Sequence, residues 1–95
     1  MIELKNEKLT DLLSGITLVD YYADWCGPCQ MLGIELEELK DINIIKVDVD
    51  QHHALAEEKN IMTIPFVEIY KDQELITSFN GFKTKSELED MLKEI

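Results

Sequence analysis

A chain of 95 residues that is 45% hydrophobic and 31% charged, with two prolines and four glycines, predicts one folded domain over residues 1–95 and excludes a disordered or fibrous protein. Twenty acidic residues against nine lysines, with no arginine, give a formal net charge of -11, which repels phosphate polymers and anionic membranes and predicts a well-solvated monomer with no nucleic-acid partner. The N-terminal stretch MIELKNEKLT is charged every second or third residue and lacks a signal-peptide core, and no apolar run approaches the ~18 residues of a membrane span; both point to the cytosol.

In chain order, Ile2 and Leu4 suggest a short first strand. Asn6 suits the cap of a helix with Leu9, Leu12 and Leu13 on its apolar face and Gly15 at its end. Residues Thr17 to Tyr22 are nearly continuous strand formers, as expected of a strand buried on both faces of a parallel sheet, and Asp20 is the exception. Leu32, Leu36 and Leu39 then recur at helical spacing, with Pro28 near the helix start, where a missing N–H costs little. Ile44 to Val49 reads as a buried strand, and Asp50 as the cap of a helix through Ala54, Leu55 and Lys59 that stops near Asn60.

The last third changes character. Phe66–Tyr70 and Leu75–Phe79 flank a short polar connection and predict an antiparallel hairpin. Asp72-Gln73 lacks the glycine a two-residue primed turn prefers, which predicts a longer or bulged loop. From Thr84, TKSE forms a capping box that opens a helix with Leu88, Met91, Leu92 and Ile95 on one face. The sum is an α/β domain, a central mixed sheet of about five strands flanked by helices on both faces.

Both cysteines stand in YYADWCGPCQ. A structural disulfide between Cys26 and Cys29 closes so short a loop that it removes little unfolded-state entropy, and a cytosolic setting disfavours it. A zinc site needs four ligands, and the adjacent His52 and His53, read as solvated first-turn residues, lack the usual ligand separation, so no metal is expected. A redox pair draws support from position: Cys26 falls where a buried strand meets a helix N-terminus, whose unpaired N–H groups favour a thiolate. Such a sulfur is exposed, a ready nucleophile and a good leaving group, while Cys29, one turn on, is shielded and acts second.

Trp25-Cys26-Gly27-Pro28-Cys29 resembles the active-site motif of the thioredoxin family, and the strand and helix order is similar over nearly the whole chain. The resemblance implies the thioredoxin fold, protein-disulfide reduction through a redox-active Cys26–Cys29 disulfide, and no bound cofactor. It also implies disulfide-containing protein substrates and a separate thioredoxin reductase, fed by NADPH or ferredoxin. Met62-Thr-Ile-Pro65 looks like the family's cis-proline loop, Asp20 takes the place of its buried carboxylate, Lys46 that of the neighbouring lysine, and Gly81 that of the glycine a substrate backbone approaches. The implied catalytic set is Cys26, Cys29, Asp20 and Lys46; the implied substrate groove is Trp25, Gly27, Pro28, Ile64, Pro65 and Gly81.

The chain departs from the family pattern at Gln30, where a basic residue is usual, at Ile34, where a helix-kinking proline is common, and at Tyr21-Tyr22, where the aromatic pair often includes tryptophan. Two rivals stay open: a thiol oxidase or isomerase on the same fold, and a non-catalytic binding module that docks a partner on Trp25, Pro28 and Pro65. The Gly-Pro dipeptide resembles the family's reductants and predicts a potential on the reducing side of glutathione. Replacing both cysteines by serine separates an adaptor from a reductase.

Overall fold

The computed structural model describes residues 1–95. Five strands, β1 (Ile2–Glu3), β2 (Ile16–Tyr22), β3 (Asn43–Asp48), β4 (Phe66–Lys71) and β5 (Glu74–Asn80), and four helices, α1 (Leu9–Leu12), α2 (Gly27–Glu37), α3 (His53–Glu58) and α4 (Lys85–Lys93), follow in the order βαβαβαββα. The sheet order is β1-β3-β2-β4-β5. β3 runs parallel to both β1 and β2, while β4 is antiparallel to β2 and to β5. This is the mixed five-stranded α/β sheet expected from the residue pattern.

The side-chain alternation of β2 divides the core. Val19 and Tyr21 pack with Leu9, Leu13, Ile45 and Val47 on the face covered by α1 and α3. Leu18 packs on the other face with Leu32 and Leu36 of α2 and Leu88 of α4. Because successive strand side chains point to opposite faces, Asp20 belongs with Leu18 and faces the helix that carries the cysteines. It is one of four buried polar residues, with Thr17, Asp48 and Glu68.

Local chemistry accounts for most element ends. The α4 capping box is complete: Glu87 N–H donates to Thr84 Oγ1 at 3.2 Å, and Thr84 N–H donates to the Glu87 carboxylate at 2.9 Å. At the end of α3, Asn60 takes the left-handed conformation, with φ of 55°. The carbonyl of Leu12, left over at the end of α1, accepts from the Asn43 side-chain amide at 2.9 Å.

Four expectations need correction. Asn6 does not cap α1; the cap position is Lys8, with no side-chain bond, because Glu7 closes its own turn by accepting from Lys5 N–H. Asp50 does not cap α3, which starts after His52, and its carboxylate is drawn to Trp25 instead. His52 is not freely solvated: its Nε2 sits 2.9 Å from the Leu4 carbonyl oxygen. The β4–β5 loop is not lengthened: Lys71 pairs with Glu74 across a two-residue turn in which Asp72 and Gln73 both adopt positive φ, 49° and 74°. The twist of the flanking strands selects that primed turn even without glycine, and a bulge lies further along, between Ile69 and Tyr70.

Candidate active site

The strand-to-helix junction after β2 delivers Cys26 to the N-cap of α2, with Gly27 and Pro28 as its first helical residues. Pro28 suits that place because the first turn leaves its N–H groups unpaired. The Cys29 N–H donates to Cys26 Sγ at 3.3 Å, so the helix's own unpaired amide addresses the sulfur. Cys26 and Cys29 are joined in a disulfide with Cα atoms 5.2 Å apart. The expectation of an exposed Cys26 sulfur is corrected: Cys26 is 6% exposed against 2% for Cys29, because Ile64, Val49 and Tyr22 pack around the pair.

The loop before β4 closes over the cysteines. The Ile64–Pro65 peptide bond is cis, and the Ile64 carbonyl oxygen lies 3.9 Å from Cys26 Sγ. Gly81, with φ of 87°, donates its N–H to the Pro65 carbonyl at 2.8 Å; a side chain is strained in that conformation. Asn80 adds a side-chain bond to Thr63 Oγ1 at 2.7 Å. Pro65 itself is buried, while Gly27 and Pro28 are exposed.

Trp25 is 72% exposed, yet its indole N–H donates to Asp50 Oδ2 at 2.8 Å, which restrains the ring. Beside it a cleft of about 400 Å3 is lined by Trp25, Val49, Ile61, Met62 and Ile64. Of the expected groove residues, this cleft takes in Trp25 and Ile64; Gly27, Pro28, Pro65 and Gly81 lie outside it. A wider cleft of about 960 Å3 between α1 and α3, with Leu9, Leu13, Leu55 and Tyr70 in its walls, contains neither cysteine.

Beneath the cysteines, Asp20 pairs in register with Lys46 across β2 and β3. Asp20 is fully buried, and its Oδ2 is 3.1 Å from Lys46 Nζ. That ion pair aside, neither carboxylate oxygen has a hydrogen-bond partner. Burial pushes the Asp20 carboxyl above the usual range, the Lys46 ammonium pulls it back, and Glu3 adds a smaller upward push.

Sequence reasoning missed two supports. Asp50 was legible as a polar residue after a strand, but its bond to Trp25 spans 25 positions and leaves no periodic trace. Tyr22 holds the Lys46 ammonium 4.3 Å from its ring centroid, and both Glu3 oxygens accept from its hydroxyl at 2.8 Å. No group of three or more His, Cys, Asp or Glu side chains is placed to hold a metal, and no helix is long and apolar enough to cross a membrane.

The family model for thioredoxin matches residues 2–94. The chain belongs to the thioredoxin family. It is 38% identical over 88 residues to the thioredoxin of Staphylococcus saprophyticus, covering 87% of this chain and 85% of that protein. With the thioredoxin of Mycoplasmoides gallisepticum it shares 42% identity over 80 residues, 80% of each chain. A mutant thioredoxin from Halobacterium salinarum superposes with a TM-score of 0.88 at 32% identity, covering 98% of this chain and 88% of that one. The protein is thus a protein-disulfide oxidoreductase working by dithiol–disulfide exchange through its Cys26–Cys29 disulfide. Membership implies disulfide-containing substrates and a reductase that returns the pair to the dithiol.

Proposed function

We propose that Cys26 is the attacking sulfur and Cys29 the resolving one in a cytoplasmic, monomeric, single-domain disulfide reductase. The observation that carries this reading is the seat of Cys26 at the N-cap of α2, where its Sγ accepts from Cys29 N–H at 3.3 Å. The Cys29 N–H aimed at that sulfur, together with the helix dipole, favours its thiolate over its thiol.

In the reduced protein, the Cys26 thiolate attacks one sulfur of a substrate disulfide, forming a mixed disulfide and expelling a substrate thiolate, which takes up a proton. Cys29 gives its proton to Asp20, directly or through water, and attacks Cys26 Sγ. The Cys26–Cys29 disulfide closes and the second substrate sulfur leaves as a thiolate; Asp20 releases the Cys29 proton, the substrate thiolates take up two protons through solvent, and two electrons have passed to the substrate. Asp20 suits the base because burial makes it a better proton acceptor than an ordinary carboxylate, and Lys46 keeps it from staying protonated throughout.

Trp25, Gly27, Pro28, Ile64, Pro65 and Gly81 frame the substrate. Exposed apolar surface at Trp25 and Met62 supports that assignment, as does the unencumbered backbone of Gly81. A separate thioredoxin reductase, using NADPH or ferredoxin, reopens the disulfide.

The test is covalent trapping. A Cys29→Ser protein should accumulate mixed disulfides through Cys26 when given disulfide substrates, and a Cys26→Ser protein should accumulate none. Capture through Cys29 in the Cys26→Ser protein would reverse the division of labour.

A further inference from the structure

Gly33 lies inside α2, one turn beyond Cys29, where the helix runs uninterrupted and no positive φ calls for glycine. Glycine is the poorest helix former after proline, so its presence in a helix interior points to a constraint of space. Outside its own stretch of helix, a Cβ built at Gly33 would meet Lys46 Nζ at 3.3 Å and nothing else within 4 Å. The same ammonium lies 4.3 Å from the Tyr22 ring centroid. Lys46 Nζ therefore has three neighbours, the Tyr22 ring, the bare helix backbone at Gly33 and Asp20 Oδ2 at 3.1 Å.

We propose that Gly33 is a positioning residue: its missing side chain lets the Lys46 ammonium seat against α2 beside Asp20, and so sets the pH at which Asp20 accepts the Cys29 proton. This inference rests on the reading of Asp20 as base to Cys29. The two residues share more than sequence proximity, since Cys29, Gly33, Tyr22 and Lys46 all line one cleft of about 230 Å3. The other charged groups facing the pair are Glu3 of β1, which bears on Asp20, and Asp24 and Glu37, which line the same cleft. Those three are acidic; Met1, with the chain's α-ammonium, also lines the cleft, and Lys46 is the cation that bears on Asp20.

A Gly33→Ala side chain forces the ammonium back by a few tenths of an ångström. Any retreat of the ammonium from Asp20 weakens its pull on the carboxylate, which raises the Asp20 titration and slows the resolving step below its midpoint. Alanine strengthens the helix, so the variant folds.

Two measurements test this on the reduced protein. The Asp20 carboxyl is titrated by carbon NMR, and the release of a preformed mixed disulfide is followed in a single turnover across pH. Gly33→Ala should move both midpoints upward together, and should move neither once Lys46→Met has removed the ammonium. An unmoved Asp20 titration, an Asp20 titration that moves without the rate profile, or an equal effect in the Lys46→Met background would overturn the role of Gly33. An Asp20→Asn control separates the two layers: loss of the acid limb keeps Asp20 as base whatever Gly33→Ala does, and survival of that limb refutes the base and this inference with it.

Discussion

Asp20 and Lys46 face each other across adjacent parallel strands with 3.1 Å between carboxylate and ammonium, and the carboxylate has no other polar partner. A buried charge with a single partner costs folding energy that a neutral side chain does not. The pair is therefore kept at the expense of stability, on the side of the sheet that faces the cysteines.

The pH dependence follows in sign. Asp20 titrates above its unfolded value because of burial, opposed by Lys46, so the folded state binds a proton there more tightly than the unfolded one. Its contribution to stability is fully present below the unfolded pKa and is lost as pH rises through the folded pKa. Because burial outweighs the pull of Lys46, Asp20→Asn should accordingly be more stable than the parent at pH 8, with the difference vanishing in acid. Urea unfolding at several pH values measures it. The same variant should slow the resolving step about 100-fold, the lower range for a general base.

Trp25 and Asp50 yield a prediction about substrates rather than chemistry. Loss of the 2.8 Å indole bond in Asp50→Ala frees an exposed ring. The net worth of such a bond is about 1 kcal/mol, roughly a fivefold change. KM for a protein disulfide should rise by about that factor, while the rate with a small disulfide that does not touch the ring stays the same. Tryptophan fluorescence reports the freed ring directly, since the chain has one tryptophan.

On the opposite face of the sheet, Glu68 is buried and accepts from Tyr21 at 2.7 Å and Tyr70 at 3.0 Å, with Lys59 at 3.3 Å. Glu68→Ala removes the acceptor of two hydroxyls and the counter-charge of Lys59, which keeps only the Tyr70 hydroxyl at 2.9 Å, and should destabilise by about 3 kcal/mol, the usual cost of breaking a buried charged network. Chemical denaturation checks it, and the exchange rate of Cys26 in the folded fraction should not change.

Thr84→Ala removes one half of the α4 capping box. The expected loss is about 1 kcal/mol, read as a lower denaturant midpoint with an unchanged slope.

Much of this was legible in the residues. The apolar runs of β2 and β3, the helical spacing of Leu32 and Leu36, and the TKSE box each state their element locally, because burial periodicity and capping are properties of neighbouring residues. The Cys-Gly-Pro-Cys spacing likewise declared the sulfurs and their place at a helix start. What escaped was what depends on residues brought together by the fold. Asp50 read as a cap because nothing nearby in sequence reveals Trp25 as its partner. Asp72-Gln73 read as a loose loop because glycine preference is weaker than the twist imposed by two paired strands. Gly33 carried no signal at all until Lys46 was seen against it.

Exchange through Cys26 depends on α2 holding that one sulfur ionised. Alkylation of the fully reduced protein by iodoacetamide across pH, with each modified cysteine located by mass spectrometry, measures this. Cys26 should react with a midpoint clearly below the ~8.5 of free cysteine, and Cys29 should react much more slowly. Two cysteines alkylated at the same rate, both with the midpoint of a free thiol, would contradict it.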